Sequence, residues 1–264
     1  MESLRMKVIN EKEQTLTISS PSGGGIAAVH TQAYRDGDRI AVDTNGEGGL
    51  YWVCLDEALG TALLYLDGSP FNYPIPKADN RACFSPKAFS GSIHLMHMTK
   101  ADEREASQRR NLALNPYDHH TIRGFFPHAT ANVETRNELT FAARNAIDGI
   151  FENASHGEYP YQSWGINRDP KAALTIDFGR PVVVDEVRLT LRADFPHDSW
   201  WEEATVTFSD DSSVTLPLTK SALPQSLRFE ARTITALTLH SLKKADDPSP
   251  FPALAQIEVF GFDA

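Results

Sequence analysis

The segment Arg192-Ala-Asp-Phe-Pro-His-Asp-Ser-Trp-Trp201 brings a guanidinium, two carboxylates, an imidazole and two adjacent indoles into one short stretch. That mixture suits a polyhydroxylated ring. A pyranose presents flat C–H faces and radial hydroxyls, so its site needs an aromatic plane together with fixed donors and acceptors. On this reading Arg192, Asp194 and His197 bind hydroxyls, Trp200 or Trp201 stacks on the ring with Tyr161, and His156 stands beside them. One alternative stays open. Adjacent strand residues point opposite ways, which would make one indole core and leave the other covering an edge.

Other reactive types give less. His94 and His97 are three apart, which in a strand sets the rings on opposite faces, and the neighbours His119 and His120 meet the same obstacle to joint ligation. These read as surface or hydrogen-bonded histidines. The acidic pairs Glu202-Glu203, Asp210-Asp211 and Asp246-Asp247 suggest a glycosidase only superficially. Such an enzyme needs two carboxylates facing each other across a cleft about 5–10 Å wide, which chain neighbours do not supply. Ser209-Asp-Asp-Ser212 reads as a hairpin turn. Ser22-Gly-Gly-Gly25 lacks the lysine and helix of a phosphate-binding loop, and neither GxSxG nor HExxH occurs. Cys54 and Cys83 have no zinc-like spacing and read as two unpaired thiols, Cys54 in the core run LYWVCL.

The frame that must position these residues is ordinary globular material. The chain has 264 residues, 41% hydrophobic and 23% charged, enough for a core without disulfide or metal. Its net charge of −10 excludes the basic surface that nucleic acid requires, and Arg109-Arg110 and Lys243-Lys244 are only pairs. No apolar run approaches the roughly 18 residues of a membrane-spanning helix, so no membrane partner is expected. The start MESLRMKVINEKEQ has no signal-like apolar region, from which a cytoplasmic location is expected.

Short alternating runs separated by turn residues predict an all-β protein, with strands near 15–19, 39–42, 51–55, 62–66, 174–178, 182–191, 204–209, 213–218, 227–230, 234–239 and 256–260. Two helices are expected, a charged connector over 101–110 and a short one over 139–147. The connector divides the chain into a small β-sandwich of unassigned role, 1–108, and a second sandwich, 109–264. In the second, Leu174, Ile176 and Phe178 alternate with polar residues, as do Val187, Leu189 and Leu191. A half-buried antiparallel strand requires that pattern.

Five pieces in the second half carry a family resemblance. They are Asn111-Leu-Ala-Leu-Asn115, Phe141-Ala-Ala-Arg-Asn-Ala-Ile-Asp-Gly149, Trp164, Leu174-Thr-Ile-Asp-Phe-Gly-Arg-Pro-Val182 with the strand 187–191, and Ala255-Gln-Ile-Glu-Val-Phe-Gly261. In this order they resemble the discoidin-type domain, the galactose-binding-like jelly roll shared by coagulation-factor type C domains and family 32 carbohydrate-binding modules. Residues 111–262 are covered. Two features depart from the family: a long loop over 150–163, and the absence of cysteine from this half.

The resemblance implies a non-catalytic saccharide-binding domain with its ligand on loops at one end of the sandwich, and a core position for Trp164. It also implies a structural calcium ion. The ligands would be the Asn145 and Ile150 carbonyls, the Asp148 carboxylate, Asn153, the Ala255 carbonyl and Gln256. Gln256 stands where the family usually has Glu, which removes one negative charge. Without calcium, Asp148-Gly149 would be only a turn. Two rival functions stay open. One is a protein-interaction module built on the same loops. The other is a saccharide-acting enzyme at the domain interface, using His128, His156 or His197 with a carboxylate.

Overall fold

The computed structural model describes residues 4–77, 81–193 and 199–264. The chain is all-β, the class read from its sequence, and forms two compact units: residues 1–106 with 121–126, and residues 107–120 with 127–264. The strands in chain order are β1 (Arg5–Ile9), β2 (Thr15–Ile18), β3 (Ser20–Ser22), β4 (Gly25–His30), β5 (Arg39–Asp43), β6 (Gly49–Cys54), β7 (Ala62–Leu66), β8 (Phe71–Pro74) and β9 (His94–Lys100). They continue as β10 (Arg110–Asn111), β11 (Phe125–Phe126), β12 (His128–Ala131), β13 (Trp164–Gly165), β14 (Leu174–Leu191), β15 (Trp201–Phe208), β16 (Ser213–Pro217), β17 (Gln225–Lys244) and β18 (Ala253–Asp263).

The first unit holds two antiparallel sheets, β2-β1-β5-β8 and β11-β7-β6-β9-β4-β3, with β1 and β2 touching β4. Alternation places Met6 and Val8 of β1 inside, and His94, Met96 and Met98 of β9 inside, while Leu95 faces out. The hexapeptide 121–126 belongs here and not, as the sequence division had it, with the second domain. Phe125 and Phe126 pair with Leu66 and Tyr65, and Gly124 O accepts the Asp67 N–H at 3.1 Å.

In the second unit one antiparallel sheet runs β10-β18-β14-β17-β15-β16, with β12 added on β14 and β13 on β18, and it curls around a single core. The sequence runs 174–178 and 182–191 are one strand, β14, as 227–230 and 234–239 are one strand, β17. Near its start β14 lies beside β12; from Val182 to Leu191 its neighbour on that side is β18. The switch falls where Asp177 Oδ1 accepts the Gly179 N–H at 2.8 Å and bends the chain. Gly261 ends the last resemblance motif for a steric reason. A Cβ there would lie 1.9 Å from Val183 O on β14.

Neither expected helix forms as read. Over 101–110 only Glu103–Ala106 is helical, closed by a reciprocal cap in which Asp102 Oδ1 accepts the Glu105 N–H at 2.8 Å and Glu105 Oε2 accepts the Asp102 N–H at 2.9 Å. Over 139–147 there are two 3-10 turns, Leu139–Phe141 and Ala143–Ile147, with Ala142 extended between them. Side chains have taken the α-helical partners. The Ala143 N–H goes to Glu134 Oε1 at 2.8 Å, and Leu139 O accepts from Asn145 Nδ2 at 2.7 Å.

Glu186, buried on β14, gathers the cations around it. Its oxygens accept from Arg188 Nε at 2.6 Å, Ser226 Oγ at 2.6 Å and Arg109 Nη2 at 2.8 Å. Burial alone would raise this carboxyl, but those hydrogen bonds outweigh it and hold the group down at about 2. Its stabilisation is therefore complete above the unfolded-state value of 4.5 and is lost as pH falls toward 2. We expect Glu186→Gln to cost about 2 kcal/mol near neutral pH, with the gap between variant and wild type closing on acidification. Denaturant unfolding at pH 7 and pH 3 measures both.

Candidate functional site

The polar residues at the end of β14 meet in a cleft of about 270 Å³ in the second unit. Arg192 is its fixed point. The Arg192 main-chain N–H donates to Ala253 O at 3.0 Å, continuing the β14–β18 ladder one step. Its guanidinium Nη1 donates to Tyr161 O and to Ser163 Oγ, each at 3.2 Å, and the residue is only 4% exposed. Pairing of β13 with the start of β18 brings 166–168 beside 251–253. Gly165 leaves the space that Thr135 and Phe141 fill, since a Cβ there would sit 2.6 Å from Thr135 Oγ1.

Arg136, Asn167 and Arg168 line the cleft in left-handed conformations, with φ of 54°, 47° and 62°. Non-glycine residues adopt this region at a cost, and such residues gather at binding sites held by their surroundings. Here Thr135 Oγ1 accepts the Asn167 N–H at 2.9 Å, and the Arg168 guanidinium lies 5.6 Å from the centre of the Phe251 ring. The described lining residues include three arginines and His156, and no carboxylate. Arg136 is paired with Glu138 at 2.6 Å. The ionisable side chains among the described lining residues are thus all basic, in a chain whose net charge is −10.

The residues expected from sequence divide three ways. Arg192 and exposed His156 line the cleft, and Tyr161 supports it through a carbonyl. Asp194 and His197 lie outside the described residues. Neither indole is among the described residues that line this cleft. Trp201 is fully buried, its ring 6.4 Å from that of Trp164, because the first residue of β15 points inward. Trp200 is half-buried against the edge of the core, with Lys220 Nζ 5.3 Å from its ring centre. The aromatic residues that line the cleft are Phe141 and Phe251. Phe251 sits in the polar, Pro-rich stretch 246–252, whose composition marks a rim loop; Arg136 and Arg168 carry no comparable signal.

The oxygens expected to bind calcium surround something else. Gln256 Nε2 donates to Asn145 O at 2.7 Å, to Asp148 Oδ1 at 2.8 Å and to Ala255 O at 2.7 Å. Gln256 Oε1 accepts the Gly149 N–H at 3.0 Å, and Gln162 Nε2 donates to Asp148 Oδ2 at 2.8 Å. Burial pushes the Asp148 carboxyl up to about 6, against the pull of Arg144. Asn153 turns away: its Nδ2 donates to Leu191 O at 3.2 Å and Ala222 O at 2.9 Å, tying the His156 loop to the end of β14. The Ile150 N–H donates to Asp148 Oδ1 at 2.9 Å. A hard dication needs six to eight oxygens, and an amide nitrogen among them does not fit it.

His128, a candidate acid–base group, has Nδ1 2.6 Å from Asp118 Oδ1, whose other oxygen accepts the Ala129 N–H at 2.9 Å. It does not line the Arg192 cleft. Among the described residues no three His, Cys, Asp or Glu side chains are grouped to hold a metal, and no helix is long and apolar enough to cross a membrane.

No protein-family model matches the chain, and no curated protein matches it. It is similar to several solved structures. Chitosan-binding module 1 derived from a chitosanase/glucanase of Paenibacillus sp. IK-5 is 22% identical, with a TM-score of 0.40 over 58% of this chain and 99% of that one. The lectin domain of lectinolysin complexed with Lewis B antigen is 17% identical, with a TM-score of 0.42 over 59% and 97%. The family 32 module from C. perfringens NanJ in complex with galactose is 15% identical, with a TM-score of 0.38 over 50% and 91%. The last belongs to a group that the sequence motifs resemble.

The two indoles should separate by their energetics. Trp201→Ala, which empties a core position, should cost about 3–5 kcal/mol, and Trp200→Ala about 1 kcal/mol. Urea unfolding followed by circular dichroism reads the order, and comparable losses would contradict the assignment.

Proposed function

We propose that the second unit is a non-catalytic carbohydrate-binding module, and that the Arg192 cleft takes a saccharide bearing an acidic group. The observation that carries this reading is the lining: Arg192, Arg168 and His156 around a partly apolar groove that includes exposed Phe251. Guanidinium groups recognise carboxylate and sulfate with paired, charge-assisted hydrogen bonds. An aromatic face suits the C–H side of a pyranose, and Asn167 with Thr135 adds polar side chains for neutral hydroxyls. The motif resemblance to family 32 modules supports the ligand class.

Rigidity supports the same reading. Arg192 is held by a carbonyl and a hydroxyl, so little side-chain entropy is lost when it meets a ligand. The cationic lining separates the proposed ligand from a polycation such as the chitosan named for one similar module.

A glycan array carrying neutral and acidic saccharides tests the proposal. We expect binding to uronic, sialylated or sulfated glycans, weakened as salt rises from about 0.05 to about 0.5 M. His156→Ala, Arg168→Ala and Phe251→Ala change exposed side chains, and each should weaken binding about tenfold, or about 1.4 kcal/mol, while leaving the melting temperature near wild type. Binding confined to neutral glycans would remove the acidic-group assignment. No binding to any glycan at about 1 mM, a contact energy near 4 kcal/mol, would remove the carbohydrate reading.

A further inference from the structure

We propose that the Gln256 carboxamide replaces the structural cation implied by the family resemblance, making the fold of the second unit independent of calcium. This inference does not depend on the saccharide reading. It rests on one nitrogen and the atoms around it. Three of the oxygens that the resemblance nominated as ligands, from Asn145, Asp148 and Ala255, lie 2.7–2.8 Å from Gln256 Nε2. Those are ordinary N–H···O hydrogen-bond lengths. Two amide hydrogens shared among three acceptors do in part what a cation does, drawing the turn at 145–149 onto β18.

The amide cannot easily turn over to offer its oxygen to an ion. Oε1 already accepts the Gly149 N–H at 3.0 Å. Reversal would, without an ion, set Oε1 against three other oxygens, and with or without one it would turn an N–H donor toward the Gly149 N–H in place of its acceptor. The charge balance also opposes a dication. Buried Arg144 places Nη1 3.9 Å from Asp148 Oδ2 and is itself fixed by Asp118 O at 2.9 Å, Pro116 O at 2.7 Å and Asn145 Oδ1 at 3.1 Å. One guanidinium against one carboxylate leaves this pair without net negative charge, where a calcium site draws its affinity from carboxylates. A glutamate at 256 would change both terms, exchanging the donating nitrogen for an oxygen and adding a negative charge.

The test uses the full chain and calcium itself. Wild type should melt within about 1 °C of the same temperature in chelator and in millimolar calcium, and calorimetry should register no stoichiometric calcium binding. Gln256→Glu should bind one calcium per chain, and its melting temperature should rise by at least about 5 °C at calcium a hundredfold above Kd. A Gln256→Glu chain that folds only with calcium supports the proposal equally. Three results overturn it: a wild-type melting temperature that drops in chelator and recovers with calcium, one-to-one calcium binding by wild type, or a folded Gln256→Glu chain that ignores calcium. If that variant folds under neither condition, the wild-type titration alone decides. Gln256→Met, which removes the donor, should then melt well below wild type with or without calcium.

Discussion

The register of β14 against β18 determines what the second unit can do. Thr190 stands opposite Gln256 and Leu191 opposite Leu254, which leaves Ala255 as an extra residue, a bulge. Ladder geometry alone would alternate inside and outside along β18. Instead residues 253–257 are buried in succession. Gln256 is thereby directed inward with Ala255 O beside its amide nitrogen, while the next ladder contact, from the Arg192 N–H to Ala253 O, anchors the cleft arginine. One irregularity in pairing thus serves the internal network and the surface site together.

The two are also joined by side chains. Asn145, whose carbonyl meets Gln256, donates through Nδ2 to Ser163 O at 3.1 Å, and Ser163 Oγ in turn receives the Arg192 guanidinium. Asn153 attaches the His156 loop to the end of β14 through Leu191 O. Asn145, Ser163, Arg192 and Asn153 thus spend polar atoms on holding loops in place at this end of the sheet. That accounts for an irregular region of 3-10 turns and left-handed residues having fixed geometry without an α-helix.

Much of this was legible from residue order, and the rest was not for identifiable reasons. Period-2 runs such as Leu174-Thr-Ile-Asp-Phe178 revealed the strands because one face is buried and the other wet. Strands β4 and β9 escaped, since Gly-Ile-Ala-Ala-Val-His and His-Leu-Met-His-Met-Thr-Lys are poor in the β-branched residues that mark a strand. The expected helix over 139–147 failed because Asn145 and Glu134 compete for the backbone groups a helix would use, a contest settled by tertiary contacts. Of the residues that line the cleft, Arg192 and His156 were singled out in the sequence by their company, whereas Arg136 and Arg168 are ordinary loop arginines until the fold brings them together. Which of the adjacent indoles is core was not legible, for inward and outward positions one residue apart look alike in composition.

At the cleft, backbone strain persists only because the surroundings are rigid. Left-handed backbone at Arg136 and Arg168 costs of order 1–3 kcal/mol each, a cost that an unsupported loop would shed by relaxing. It persists because the neighbouring positions are over-determined. Gly165 admits Thr135 and Phe141 at a distance that a larger residue would forbid, Thr135 then accepts the Asn167 N–H, and pairing of Trp164 and Gly165 with β18 holds the turn from the other side. The core beneath, with Trp164 and Trp201 in contact, supplies the stability that offsets this local cost. Trp201, one of the two indoles expected to touch a ligand, thus contributes from below, packed against Trp164, the indole expected in the core.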